Sequence, residues 1–305
     1  MGHGIADGGH GKLWSMVEPR MWLGCPIWGR KDWVGELLAP GTKSSDFLRR
    51  YAEVFDAVEG NTTFYATPPE DIVRRWGEAT PESFRFCFKL PKTVTHERGL
   101  IAAAGATERF VDRMRPLGPR LGPFMIQLPP SFGPQRLSVL HTFLRGLPRD
   151  VRFSLEVRHR GFFAETPAEK RLTALLVEHD VERVVLDTKA IYAEGPVDED
   201  LRVAREKKPR LPIPTVVEGK NPLLRLIVPP NPEVAVPRID AWISRVAAWL
   251  TQGRSPYVFL HCPDDFHAPR LARTFHDRLA ERLGTESMPP WPAERAPAKA
   301  QTSLF

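Results

Sequence analysis

The chain has 305 residues, which sets an expectation of one or two domains. Apolar residues make up 42% and charged residues 26%, which excludes a disordered chain, a collagen-like fibre and a coiled coil. No apolar run approaches the ~20 residues that a membrane helix needs. The 43 Lys and Arg exceed the 37 Asp and Glu, for a net charge of +6, which favours anionic partners without requiring them. Three separate cysteines, Cys25, Cys87 and Cys262, form neither a disulfide framework nor a zinc pattern, so a reducing, cytoplasmic location is expected.

Residues 1–20 are Gly/His-rich with no hydrophobic segment and read as a flexible N-terminal extension, not a secretory signal. From Met21 short apolar runs alternate with helix-period stretches. The runs are Met21–Gly24, Phe55–Glu59, Phe84–Leu90, Phe124–Leu128, Arg152–Val157, Arg183–Asp187, Leu223–Val228 and Tyr257–Cys262. Ser45 reads as a helix N-cap, and Thr67-Pro68-Pro69-Glu70 has the spacing of a capping box. The stripe containing Trp242 and Trp249 reads as core packing. Eight strands alternating with helices over residues 21–287 predict an α/β fold, a single-domain TIM-type (β/α)8 barrel with flexible N- and C-terminal extensions. The turn after the first strand is too sparse in glycine for a dinucleotide, and no Walker loop or G-x-S-x-G elbow is present.

In such a barrel, function sits at the C-terminal strand ends. Those ends carry Glu59 and Asn61, Lys89, Gln127, Glu156 with Arg158 and His159, Asp187 with Thr188, and His261. Strand seven carries Arg225 but ends apolar. Charges gathered inside a barrel must be paired or serve a ligand. One reading is a purely internal ion-pair network, for instance Lys89 with Glu156 and Arg158 with Asp187. The other is a site. Glu156 and Glu59 are then candidates for general acid/base work with Asp187 as orienter. Lys89, Arg158 and His159 are anion binders, with His96, Arg98 and His261 nearby. Asn61, Gln127 and Thr188 suit hydroxyls or amides. Trp28 and Tyr65 either stack on a base or sugar or pack as a lid. No metal site and no cofactor are expected, because Lys89 and Arg158 would compete for the carboxylates; a divalent metal stays open as an alternative. Cys25 reads as a small buried hydrophobe.

These strand-end strings are similar to those of the YecE-like family, the domain of unknown function numbered 72. The likeness runs from about Trp22 to Leu283. It rests on Gly24-Cys25-Pro26-Ile27-Trp28, Val58-Glu59-Gly60-Asn61-Thr62-Thr63-Phe64-Tyr65, Phe84-Arg85-Phe86-Cys87-Phe88-Lys89, Gln127-Leu128-Pro129, Glu156-Val157-Arg158-His159 and Leu186-Asp187-Thr188. The resemblance implies a TIM-type barrel and no established activity; a likeness to barrel nucleases acting at abasic sites is analogy of fold only. Ile227-Val228-Pro229 and Leu260-His261-Cys262 depart from the family's usual strings, as does Cys-Pro-Ile-Trp in the first turn, so no family role is carried to strands seven and eight.

Two segments stand apart. The connection from Lys189 to Asn221 holds Arg202, Arg205, Lys207, Lys208, Arg210 and Lys220, and reads either as a basic lid for a phosphate backbone or as a solvated helix, Asp198–Glu206, with a Pro-rich return. Residues 288–305 are Pro/Ala-rich and read as a disordered tail. Its end, with Gln301, Leu304 and Phe305, resembles the peptides that dock on the bacterial sliding clamp.

The expectation is therefore an enzyme, of hydrolase or phosphoesterase type, acting on a polar phosphate-bearing or nucleic-acid substrate. The alternatives are a nucleic-acid-binding or clamp-associated adaptor, and a sugar or small-acid isomerase or lyase. Glu156→Gln separates catalytic from structural roles: turnover lost with the melting curve intact marks a catalytic group, and lost folding marks a structural ion pair.

Overall fold

The computed structural model describes residues 19–193, 195–214 and 216–295. The clamp-like residues Gln301, Leu304 and Phe305 lie outside the described residues, as do residues 1–18. Eight parallel strands are present: β1 (Trp22–Cys25), β2 (Ala57–Gly60), β3 (Arg85–Phe88), β4 (Phe124–Gln127), β5 (Phe153–Glu156), β6 (Val181–Asp187), β7 (Leu223–Ile227) and β8 (Tyr257–His261). The order is β3-β2-β1-β8-β7-β6-β5-β4, and single bridges Phe86↔Leu121 and Lys89↔Met125 close the cylinder between β3 and β4. The helices are α1 (Phe47–Tyr51), α2 (Glu70–Glu78), α3 (Ala104–Met114), α4 (Leu137–Arg145), α5 (Pro167–Glu178), α6 (Glu199–Lys207), α7 (Pro232–Thr251), α8 (Ala268–Leu283) and the short α9 (Pro292–Arg295). The first eight each follow one strand, so the chain is the TIM-type barrel expected from its alternation. No helix among the described residues is long and apolar enough to cross a membrane.

The strands are buried on both faces, which is why they read as near-continuous apolar runs. Outward side chains pack against the helices in one large apolar sheath. Inward side chains form a separate plug of Trp22, Ala57, Cys87, Met125, Val184, Leu223, Tyr257 and Phe259. Two residues further along several strands, the same inward row meets charge: Ala57 is followed by Glu59, Cys87 by Lys89, Met125 by Gln127, Leu223 by Arg225 and Phe259 by His261. Period-two alternation thus stacks a polar layer on an apolar one.

Local chemistry sets the approach of β1 and β2. A Cβ on Gly24 would lie 1.9 Å from the Ala57 carbonyl oxygen, so the strands meet there only because that residue is glycine. The buried Tyr51 hydroxyl ties them, accepting from Cys25 N–H at 2.7 Å and donating to Ala57 C=O at 2.9 Å.

Helix starts differ in part from expectation. Thr166 caps α5 by accepting from Glu169 N–H, and Asn231 caps α7 from Glu233 N–H with Pro232 in the first turn. The Thr67–Glu70 capping box does not form, because α2 begins only at Glu70, behind the extended Pro69. Ser45 lies inside a 3-10 turn, Ser44–Asp46, and the cap position of α1 falls to Asp46.

Both barrel boundaries move outward. Arg20 pairs with Asp56 at 2.6 Å and stacks over Trp22. At the other end packed structure continues past residue 287 into α9, Pro292–Arg295. Trp291 is 4% exposed, its ring 3.8 Å below the Arg273 guanidinium, and Glu294 pairs with Arg273 at 2.6 Å. One large aromatic ring outweighs the disorder-favouring Pro and Ala around it. Trp291→Ala is therefore expected to cost about 3 kcal/mol, the low end for losing a buried tryptophan, in urea unfolding.

Candidate functional site

Arg225, fully buried in the middle of β7, holds the polar layer together. Its guanidinium forks onto Glu59, Nε donating to Oε2 at 2.7 Å and Nη2 to Oε1 at 2.8 Å. Its remaining Nη1 donates to Glu156 Oε2. The other oxygen of Glu156 accepts from Arg158 Nε at 2.7 Å. Lys89 Nζ sits 3.1 Å from Glu59 Oε1, and His261 Nε2 is 3.0 Å from Glu59 Oε2. Glu59 is the hub on the carboxylate side, bonded from β3, β7 and β8 at once.

Local structure fixes this geometry. Thr63 Oγ1 donates to both the Gly60 and Lys89 carbonyls, at 2.9 and 2.8 Å, and locks the end of β2 to the residue after β3. A Cβ on Gly60 would strike the Phe88 ring at 2.5 Å. Beyond Lys89 the chain makes a π turn, Thr93–Glu97, whose Thr95 hydroxyl lies 2.9 Å from His96 Nδ1. Such turns recur at functional sites.

The charges set the protonation states. Burial opposes ionisation of Glu59, but Arg225, Lys89 and His261 outweigh it and hold its pKa well below the usual range. Glu156 is likewise buried, and Arg225, Arg158 and Lys89 bring it down to about 2. Both carboxylates are thus ionised and fully engaged at neutral pH. Burial pushes His261 down to about 4, so its neutral ring donates to Glu59. Burial and then Arg225 push Lys89 down to about 7, against the pull of Glu59 and Glu156. The expected pairs Lys89–Glu156 and Arg158–Asp187 are replaced by Lys89–Glu59 and Arg158–Glu156.

Asp187 belongs to a different set. Its Oδ2 accepts from Arg238 Nε and Trp242 Nε1, each at 2.6 Å, and its Oδ1 from Lys189 N–H. All its contacts run outward to α7 and the following turn. Thr188 donates to the Pro209 carbonyl and anchors the return of the long connection.

The remaining candidates divide. Asn61 and Gln127 flank Lys89 from the neighbouring strands. Asn61 Nδ2 donates to Pro26 C=O, while Asn61 Oδ1 and Gln127 Oε1 are buried without a partner. His96 is half-buried, close enough for the charges of Arg158 and Lys89 to act on it, and burial, then Arg158, lower its pKa. His159 is turned aside: its Nδ1 accepts from Gly161 N–H and caps a turn. Trp28 packs edge-on against Trp76 and Phe86, on the helix-facing side of β3. Tyr65 is 75% exposed and Arg98 is also exposed, both on loops above the strands. Cys25 is buried and its thiol is raised by burial, so it is not a nucleophile.

Arg225, set aside because its strand ends apolar, and Lys208, read as part of a basic lid or solvated helix, are the cations not counted among the strand-end candidates whose charges bear on the layer. Arg225 had a signal, a lone cation inside an apolar strand, Leu-Leu-Arg-Leu-Ile. Half-buried Lys208 closes α6 and carries a pKa lowered to about 8 by burial and by Arg225, against the charge of Glu59. Asp265, in a left-handed conformation after β8, is raised to about 6 by burial and has an unpartnered Oδ1.

Other clusters lie elsewhere. A cavity of about 170 Å3, lined by Leu176, Val181, Glu182, Glu218 and Gly219, sits at the opposite, N-terminal end of the strands. His141, Glu178 and His179 have the spacing of metal ligands on the outer helices, away from the polar layer; Arg149 lies 3.3 Å from His179 Nδ1.

A closed parallel barrel with an ion-paired polar layer at its C-terminal end defines the chain as a TIM-type barrel protein with a built polar centre. The chain belongs to the family described as protein of unknown function DUF72, which it matches over residues 22–296. It is 39% identical over 263 residues to the UPF0759 protein YecE of Escherichia coli K12, spanning 86% of this chain and 94% of that protein. Identity to the YecE protein of E. coli O157:H7 is 38% over the same length. Two solved structures share the fold. A DUF72 family protein from Enterococcus faecalis superposes with a TM-score of 0.65 at 18% identity, covering 88% of this chain and 98% of that one. One from Thermotoga maritima does so with a TM-score of 0.64 at 20% identity, covering 87% and 99%.

Because the Glu156 pKa is depressed, its contribution to stability is present above the unfolded carboxylate value of about 4.3 and lost as pH falls toward about 2. Urea unfolding between pH 6 and 2 should lose stability through that window, and Arg225→Met should cost about 3–5 kcal/mol at pH 7 by removing the buried cation that Glu59 and Glu156 share.

Proposed function

We propose that this barrel is an enzyme that takes a small, polar, anionic substrate at the C-terminal strand ends and moves protons with Lys89. The observation that carries the reading is a surplus of buried positive charge. Glu59 and Glu156 are balanced by Arg225 and Arg158, and Asp187 by Arg238. Lys89 and Lys208 remain, with Asp265 the one further carboxylate acting on Lys208, so the layer keeps one cation over. A surplus cation in a low-dielectric site attracts an anion, or sheds its proton and becomes a base. Arg158, with a partly exposed side chain, and Lys208 are the groups to meet a phosphate or carboxylate. Asn61 and Gln127 offer free acceptors to substrate hydroxyls.

The same reading assigns Glu59 and Glu156 to positioning instead of acid/base work, since both stay ionised. It also favours a small substrate over a nucleic-acid backbone. The long connection forms the mixed-charge helix, and two of its cations are engaged there. Arg202 pairs with Glu199 and Glu206, and Arg205 donates to the Ile191 and Ala193 carbonyls. Lys208 lies close enough for the charges of Arg225 and Glu59 to act on it.

Inorganic phosphate at 100 times its dissociation constant should stabilise the protein by about 2.7 kcal/mol, and Lys208→Ala and Arg158→Ala should each weaken that shift. A thermal-shift series with phosphate, a sugar phosphate and a single-stranded oligonucleotide of matched charge decides between substrate classes. Stabilisation by the oligonucleotide alone would overturn the small-substrate reading.

A further inference from the structure

We propose that Lys89 is an amine nucleophile, and that the substrates of this barrel are small anionic aldehydes or ketones held to it as an imine. This rests on the reading of the polar layer as an anion site and names the reacting group within it.

Three features of the layer meet at this side chain. The first is charge balance: Arg225 and Arg158 already match Glu59 and Glu156, so a proton on Lys89 adds an unmatched charge beside a buried guanidinium. A neutral amine is the form that this arrangement favours, and the lowering of its pKa to about 7 agrees. An ordinary lysine is neutral in about one molecule in 2,500 at that pH. The second is position. Nζ is held 3.1 Å from Glu59 Oε1, the Lys89 carbonyl is tied by Thr63, and the residue bridges to Met125 across the β3–β4 seam. A reacting amine needs such a fixed stem. The third is the pair of unpartnered buried acceptors, Asn61 Oδ1 and Gln127 Oε1, on the strands to either side. The hydroxyl created when an amine adds to a carbonyl is a donor that such acceptors suit.

The step balances without a co-reactant. The Nζ lone pair forms the N–C bond as the carbonyl π pair moves onto oxygen. One amine hydrogen passes to that oxygen, giving a carbinolamine. The second follows as the C–O bond breaks, so that water leaves and the C=N bond remains. Protonation of the imine nitrogen then makes the adjacent carbon an electron sink, the use to which desolvated lysines beside another cation are put.

The test uses the wild-type chain at pH 7. The protein is incubated with pyruvate or with dihydroxyacetone phosphate in the presence of sodium cyanoborohydride, which delivers hydride to an iminium carbon, and is then digested for peptide mass mapping. The expected result is a reduced adduct on Lys89 at about tenfold or more the level on the exposed Lys170, suppressed by inorganic phosphate. The site is read on the native chain, so no variant has to fold; Lys89→Gln, where it folds, should lose the adduct. Labelling of Lys89 no greater than that of Lys170 overturns the nucleophile. If phosphate still stabilises the protein in that case, the anion site stands and only the imine falls. Labelling by pyruvate that phosphate does not suppress overturns the anionic substrate class.

Discussion

The fork of Arg225 on Glu59, with its third arm on Glu156, is the constraint on which the rest of the barrel's mouth depends. It joins β2, β5 and β7 across the cylinder's interior, a connection that backbone ladders between adjacent strands cannot make. Removing three ions from water carries a large desolvation cost, recovered only because the carboxylates find donors on every oxygen. That completeness dictates the positions of Lys89, Arg158 and His261, each of which fills a lone pair that Arg225 leaves open. It also leaves the layer with more cationic groups than it can neutralise, and the chemistry argued for the site follows from that excess.

The apolar plug beneath has its own part in this. With Trp22, Phe259, Tyr257 and their neighbours filling the barrel below, water reaches the ions from one side only. The field around each charge is therefore strong. Lys89, between that field and the Arg225 guanidinium, holds its proton weakly. The outward system of Asp187, Arg238 and Trp242 is separate: it fastens the end of β6 to α7 and through Thr188 to the loop that delivers Lys208.

The barrel was legible in the sequence because each strand is buried on both faces and so appears as an apolar run, and because turn and cap residues separate the runs. Strand ends differed from expectation by a residue or two, as at the start of β6, where Val181 and Glu182 join the ladder. Glu59, Lys89, Gln127, Glu156, Arg158 and His261 were legible as residues at the C-terminal strand ends. Their pairing was not, since partners lie as far as 202 residues apart and depend on register around the cylinder. Arg225 was discounted because its strand ends in apolar residues; the charge lies mid-strand, at a height that only the barrel's stagger brings level with Glu59. Trp28 and His159 looked like site residues by adjacency, yet adjacent positions on a strand or turn face opposite ways.

The line where β3 meets β4 differs from every other line around the cylinder. Elsewhere neighbouring strands share continuous ladders; here two single bridges do the joining, with Leu90 N–H on Met125 C=O and Gly122 N–H on Phe86 C=O among the few bonds across it. Local opening follows the scarcity of such bonds. The staves of this cylinder therefore part most readily along the joint that has Lys89 on one edge and Gln127 on the other, so that the lysine's ammonium end stands beside the wall's own hinge.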